Sequence, residues 1–153
     1  MSVAMRIALY QPDIAGNVGT ILRLCACMDV PLDLIEPMGF AWGERALKRA
    51  GMDYADAAHV TRHVDWEAFL ANVGGRIVLA TTRGAERLDR AVFASDDILL
   101  FGSEGAGVPD EVHDRARLRV RVPMRSGVRS LNVAVSAAMM LGEALRQTGG
   151  WPD

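Results

Sequence analysis

Cysteine is nearly absent from this sequence. The two present in 153 residues, Cys25 and Cys27, make no disulfide framework, so a reducing cytoplasm is the expected compartment. They stand two apart in a helical pattern and point in different directions, which reads as packing. Histidine is scarce too: His59, His63 and His113 are scattered, with no cysteine or acid at metal-ligand spacing, and no metal is expected. No apolar run reaches the roughly 18–20 residues that span a bilayer. The longest, Val133 to Leu141, is broken by Ser136, so no membrane association is expected. The opening stretch, Met1 to Tyr10, lacks the apolar core and small-residue cleavage site of a secretory signal. Surplus positive charge is missing as well: 17 basic against 19 acidic residues give −2, which argues against a general nucleic-acid binder. There is no Gly-x-Ser-x-Gly elbow, no P-loop and no Gly-x-Gly-x-x-Gly after the first apolar run, which disfavours a hydrolase triad and a dinucleotide site.

What the chain has is apolar mass. Half its residues are hydrophobic and 24% are charged, enough to bury a core and to exclude a disordered or fibrous chain. Residues 1–153 fall within the range of one domain, about 100–200 residues, and no linker, repeat or composition break divides them.

Met5–Tyr10 reads as a buried strand ending at the turn Gln11-Pro12-Asp13. Gly16–Met28 carries Val18, Ile21, Leu22, Cys25 and Met28 at helical spacing, with Asn17 or Asp13 as candidate cap. A strand is expected over Leu32–Glu36, ended by Pro37 and Gly39, then helices over Glu44–Ala50 and Trp66–Asn72. Arg76–Thr81 and Asp97–Phe101 are strands by β-branched and apolar content. Pro109 fits the first turn of a short helix through Arg115. Leu118–Pro123 alternates Leu/Val with Arg as a strand with one wet face, and Leu131–Gln147 is a long helix. Strands alternating with helices throughout define an α/β class with a mostly parallel sheet flanked by helices. The last helix is apolar on more than one face, so either it is central in the monomer or a second subunit covers it. Ala134, Ala137, Ala138 and Gly142 would permit close approach.

Charge is unevenly spread. Arg115, Arg117, Arg119, Arg121, Arg125 and Arg129 form a run with no acid, and Arg45, Lys48 and Arg49 follow Trp42. Each group is either a solvated face or a phosphate-facing stripe. Three loops follow expected strands: Thr81-Thr82-Arg83-Gly84, Phe101-Gly102-Ser103-Glu104-Gly105-Ala106-Gly107-Val108-Pro109, and Met124–Ser130. Ligands settle at the carboxyl ends of parallel strands, so these loops together would make a largely backbone site for a flat heterocycle.

Three motifs in order carry a resemblance across essentially the whole chain. They are Asn17-x-Gly19-x-x-x-Arg23, Phe101-Gly102-Ser103-Glu104-x-x-Gly107-Val108-Pro109, and Val122-Pro123-Met124 with Arg129-Ser130-Leu131-Asn132. On these the chain resembles the SPOUT-superfamily RNA 2′-O-methyltransferases. Glu36-Pro37-Met38-Gly39-Phe40-Ala41-Trp42 and Arg49-Ala50-Gly51-Met52-Asp53-Tyr54 narrow the likeness to the group acting on the tRNA wobble nucleotide, cytidine or uridine 34.

The resemblance implies an α/β sheet with a C-terminal trefoil knot, a homodimer formed through the last and first helices, tRNA as substrate and S-adenosyl-L-methionine as cofactor. It implies that Ala80, Thr81, Gly102, Glu104, Gly107, Val122, Ser130 and Leu131 hold the cofactor. Arg23 is the implied catalytic arginine, with Asn17 fixing it, and Glu104, Ser130 and Asn132 complete the catalytic set. A guanidinium has a pKa above about 12, so gripping a phosphate and stabilising an alkoxide suits Arg23 better than acting as a base. Arg45, Arg49, Arg125 and Arg129 are the candidate RNA contacts. The chain departs from the group at Gly142, where many members have Tyr, and at Ala134-Val135, where they have Ser-Asn, so RNA contacts there are not carried over. The alternatives are a SPOUT enzyme for another tRNA or ribosomal RNA 2′-hydroxyl, and an inactive cofactor-binding RNA-binding protein.

Overall fold

Short apolar runs become a parallel sheet, and the amphipathic stretches between them become its two covering layers. The structure, a computed structural model, describes residues 4–43, 45–50, 54, 57–83 and 86–153. In chain order the elements are β1 (Arg6–Tyr10), α1 (Ala15–Met28), β2 (Leu32–Ile35), α2 (Arg45–Ala50), β3 (Val60–His63) and α3 (Trp66–Asn72). They continue with β4 (Ile77–Ala80), β5 (Glu86–Arg87), β6 (Ile98–Phe101), α4 (Asp110–Arg115), β7 (Leu118–Arg121) and α5 (Val133–Thr148). The sheet order is β3-β2-β1-β6-β4-β7-β5, and every described strand pair is parallel.

Side chains alternate across the sheet, as the two-residue period of a strand requires. Ile7, Leu9, Val78, Leu99 and Phe101 pack with α1, α5 and Leu47 of α2. Ala8, Tyr10, Ile77, Leu79, Ile98 and Leu100 pack with Trp66 and Phe69 of α3 and Val112 of α4. Strands buried on both faces read as continuous apolar runs, which explains why β1, β2, β4 and β6 stand out in the sequence. Two strands do not. β3 is an edge strand with Thr61 and Arg62 exposed, and β5 is only two residues long.

Polar groups enter the core only with partners. The fully buried Asp33 carboxylate accepts bonds from Arg6 Nε (2.7 Å), Arg6 Nη2 (3.0 Å) and His63 Nε2 (2.8 Å). Asp97, equally buried, is held by Arg76 Nε (2.8 Å), Arg76 Nη2 (2.7 Å) and the Ala94 N–H (2.8 Å). Pairing of this kind is what lets a carboxylate remain inside.

Several local expectations are corrected. The N-cap of α1 is Ile14, which makes no side-chain cap bond, and neither Asp13 nor Asn17 takes that place. Pro109 is the N-cap of α4 rather than part of its first turn. Cys25 is buried, and desolvation followed by the nearby Asp33 charge pushes its thiol up to about 12. Cys27 is exposed and does not pack. The helix expected from Glu44 begins at Arg45, and Glu44 lies outside the described residues, as do Gly51, Met52, Asp53 and Gly84.

Candidate active site

Three neighbouring strand ends build one floor. Ala80, the last residue of β4, is paired with Phe101 on one side and Val120 on the other, so β6, β4 and β7 stop at the same level. Thr81, Gly102 and the Arg121-Val122 segment therefore leave the sheet side by side, with strands about 4.8 Å apart. The Thr81 N–H donates to the Val120 carbonyl (2.9 Å), fixing the first and third of these exits to each other across β4 and β7.

The loop after β6 closes on itself. Ser103 and Gly107 exchange both backbone bonds, 3.0 and 2.8 Å. A Cβ on Gly102 would stand 2.7 Å from the Gly107 carbonyl carbon, so the turn is open only to glycine there. Gly107 has φ +66°, and its missing Cβ faces open space. Backbone donors and acceptors beside unfilled space, with Ala80 and Val122 half-buried nearby, suit an adenosine-like group held by main chain. The residues therefore fit the cofactor that the resemblance implies.

Charged and amide side chains tie this loop to the two long helices. The Glu104 carboxylate accepts the backbone N–H groups of Asp13 (3.0 Å) and Ile14 (3.1 Å) and the Asn17 amide (3.1 Å). It thereby takes up the Ile14 N–H at the N-cap of α1 and sets a negative charge at the positive end of that helix. Asn17 in turn accepts from Asn132 Nδ2 (3.0 Å), and Asn132 caps α5 by accepting the N–H groups of Ala134 (2.8 Å) and Val135 (3.3 Å). Asn17, Glu104 and Asn132 are thus brought into one network. Asp13 belongs to it as well, accepting Ser103 Oγ (2.6 Å) and the Gly105 N–H (3.1 Å). These two bonds, the hydroxyl first, hold its carboxyl below the usual carboxylate range.

Among the described residues, no hydrogen bond joins Arg23 to this network. Six residues beyond Asn17, it lies about 120° around α1, exposed, with its guanidinium 5.0 Å from the Tyr54 ring centroid. Asn17 spends its recorded bonds on Glu104 and Asn132 rather than on Arg23. Ser130 and Leu131 lie exposed just ahead of the Asn132 cap.

The arginine run is not one stripe. Arg115 and Arg117 stand at the start of β7 and Arg125 and Arg129 beyond its end, so the sheet's depth separates them. Between them, Arg119 Nε donates to the His113 carbonyl (3.1 Å). Arg125 and Arg129 share the sheet end of Gly102, while Arg45 and Arg49 are exposed on α2, which packs against α1. On α5, Val135 and Met139 are 47% and 45% exposed, and a Cβ at Gly142 would meet the Trp151 ring at 3.7 Å. Among the described residues, no group of three or more His, Cys, Asp or Glu could hold a metal, and no helix is long and apolar enough to cross a membrane. Asp13 and Ser103 were missed by sequence reasoning, since a turn aspartate and a loop serine are ordinary until the fold juxtaposes them.

The whole chain has close relatives. The SpoU rRNA Methylase family matches residues 4–142. A tRNA (cytidine(34)-2′-O)-methyltransferase of Beijerinckia indica is 53% identical over 146 residues, covering 94% of this chain and 91% of that protein. Its namesake in Escherichia coli K12 is 40% identical over 148 residues, 95% and 94% of the two chains. A solved structure described as giving insight into 2-OH methylation of C/U34 on tRNA superposes with a TM-score of 0.89 at 39% identity, covering 95% of this chain and 96% of the other. An AdoMet-bound rRNA methyltransferase from Sinorhizobium meliloti superposes with a TM-score of 0.85 at 26% identity, covering 95% of this chain and 57% of that one. With a family match running from the first strand into the last helix, this chain belongs to the SpoU rRNA Methylase family.

Proposed function

We propose that the protein methylates the ribose 2′-hydroxyl of nucleotide 34 in tRNA, using S-adenosyl-L-methionine, in the cytoplasm. The observation that carries this reading is the meeting of the Gly102–Gly107 turn, Thr81 and Val122 at adjacent strand ends, tied through Glu104 to the helix bearing Arg23. The names borne by relatives at 40–53% identity support the choice of nucleotide. The bound cofactor supplies an electrophilic methyl group on a sulfonium. Ala80, Thr81, Gly102, Gly107, Val122, Ser130 and Leu131 would hold its adenosine, by main-chain hydrogen bonds and apolar contact.

The rest falls to side chains. Displacement in line requires the ribose oxygen and the methyl carbon to be held together, so positioning is the larger part of the task. Arg23 grips an RNA phosphate and stabilises negative charge growing on the 2′-oxygen. The hydroxyl proton passes to water or to the phosphate. Glu104, Asn17 and Asn132 have their polar atoms engaged with one another and with helix ends, and they act by fixing the loops. Arg45, Arg49, Arg125 and Arg129 contact backbone phosphates, setting the register of the RNA without reading its bases.

The reading includes two further parts. The C-terminal segment threads a trefoil knot, and a second copy packs on α1 and α5 to complete the RNA groove. A methyltransferase for another tRNA position or for ribosomal RNA is the second reading, favoured by the likeness to the Sinorhizobium meliloti rRNA enzyme.

The test combines purified protein, labelled cofactor and bulk tRNA from a strain lacking the activity. Alkali-resistant label at the first anticodon nucleotide is expected. Label confined to other positions, or to ribosomal RNA, would reject the assignment.

A further inference from the structure

Where β1 and β6 end side by side, two carboxylates reach past each other in opposite directions. The strands are neighbours, with Leu9 opposite Phe101, but their chains part company. β1 leads through α1 to β2 on one flank, while β6 leads through α4 to β7 on the other. Such a divergence opens a crevice that many α/β sheets use for ligands. Here the protein's own side chains bridge it. Asp13, leaving β1, holds Ser103 and Gly105 of the opposite loop. Glu104, leaving β6, holds Asp13, Ile14 and Asn17 of the opposite segment. A third segment braces the pair: the Gly39 N–H donates to the Pro12 carbonyl (2.9 Å), and a Cβ at Gly39 would come within 3.0 Å of the Asp13 backbone.

The two halves do different work. Every recorded bond of the Glu104 carboxylate runs to the α1 side, so it governs the helix that carries Arg23. Both bonds of the Asp13 carboxylate run to the loop tip. With its hydrogen given to Asp13, Ser103 Oγ also accepts the Ala106 N–H at 3.3 Å, so one carboxylate organises Ser103, Gly105 and Ala106 together. Gly105 and Ala106 are exposed, and no side chain of their own anchors them. Without Asp13 the loop keeps its Ser103–Gly107 closure but loses what orients its tip.

We propose that Asp13 is a positioning residue for methyl-donor binding: its carboxylate pre-sets the Ser103–Gly107 loop, so that Gly102 and Gly107 face the donor already ordered. This rests on the methyltransferase reading above. A preorganised loop spends less ordering entropy on binding, so the loss should fall on donor affinity more than on turnover at saturation. Asparagine at 13 keeps an acceptor oxygen for Ser103 and Gly105, whereas alanine keeps none.

The experiment measures S-adenosyl-L-methionine Kd by calorimetry for wild type, Asp13→Ala, Asp13→Asn, Ser103→Ala and the Asp13→Ala/Ser103→Ala double variant. Amide exchange at 103–107 and steady-state kcat and cofactor KM accompany it. Asp13→Ala is expected to weaken binding about tenfold, in keeping with two lost hydrogen bonds, with faster exchange at Gly105 and Ala106 and the change in KM exceeding that in kcat. Asp13→Asn should recover most of the affinity, and the double variant should be no worse than Asp13→Ala alone. Unchanged donor Kd in Asp13→Ala, or a fall in kcat at unchanged Kd, would overturn the proposal. Should Asp13→Ala not fold, Ser103→Ala and Asp13→Asn decide by the same readouts. Wild-type protein that binds the donor but labels no position 34 removes the tRNA reading alone. Wild-type protein that fails to bind the donor removes both.

Discussion

A single methyl group tests the tightest point of the loop. Alanine at 102 would place its Cβ 2.7 Å from the Gly107 carbonyl carbon and 2.9 Å from its Cα, contacts with backbone that no rotamer change relieves. Gly102→Ala is therefore expected to lower stability by about 1–3 kcal/mol, the usual range for overpacking, and to weaken donor binding as the turn opens. Urea denaturation with calorimetry on the same sample checks both. Gly102 was legible as a site residue because a glycine-rich turn directly after an apolar strand announces a tight bend. Asp13 was not. Its partners are 90 and 92 residues away in sequence, and nothing local distinguishes it from the turn residue it also is. Asn17 was legible only through the motif it shares with Gly19 and Arg23, and its actual partners, Glu104 and Asn132, came from the fold.

At the level of elements, the spans of the helices were readable and the groups that secure their ends were not. The apolar spacing of α1 follows from its own residues, but the acceptor for its N-cap N–H is Glu104, on the loop after the neighbouring strand β6. α5 shows the opposite case at its C-terminal end, where its own side chain secures a distant segment. Gln147 Oε1 accepts the Phe93 N–H (2.9 Å), and its Nε2 donates to the Ala91 carbonyl (2.8 Å). Phe93 and Ala91 are both buried, so Gln147→Ala strands a donor and an acceptor, and a loss of about 2 kcal/mol is expected in the urea midpoint. One turn earlier, Glu143 accepts from Arg146 and Gln147, which lower its carboxyl from 4.5 to about 2. A depressed carboxylate adds stability that is whole above pH 4.5 and disappears as pH falls toward 2. Glu143→Gln should therefore lose less stability than wild type across that window, a difference that thermal melts at stepped pH would reveal. β3 and β5 were invisible for related reasons: a half-exposed edge strand lacks the apolar run, and two residues carry no period.

For the whole molecule, connectivity is the part that sequence pattern leaves open. The alternation of strands and helices required an α/β sheet, yet the position of β6 between β1 and β4 does not follow from periodicity. The proposed knot has no basis in pattern either, since threaded chains are rare. The arginine run, left open in sequence, is divided by the fold, since β7 carries its two ends to opposite ends of the sheet. Subunit association stands between the two. The second apolar face of the last helix was visible in sequence, and the fold leaves Val135 and Met139 about half exposed while Met140, Leu141 and Leu145 are buried. If a second copy covers that face, a charge placed there must be desolvated in the dimer but remains solvated in the monomer. Met139→Glu should then shift sedimentation from dimer to monomer and weaken tRNA methylation, because the RNA groove proposed above needs both copies. The monomer's own fold should survive, since an exposed helical methionine contributes little to its core. A variant that sediments and methylates as wild type would mean that the α5 face stays open to solvent and that no second copy packs there.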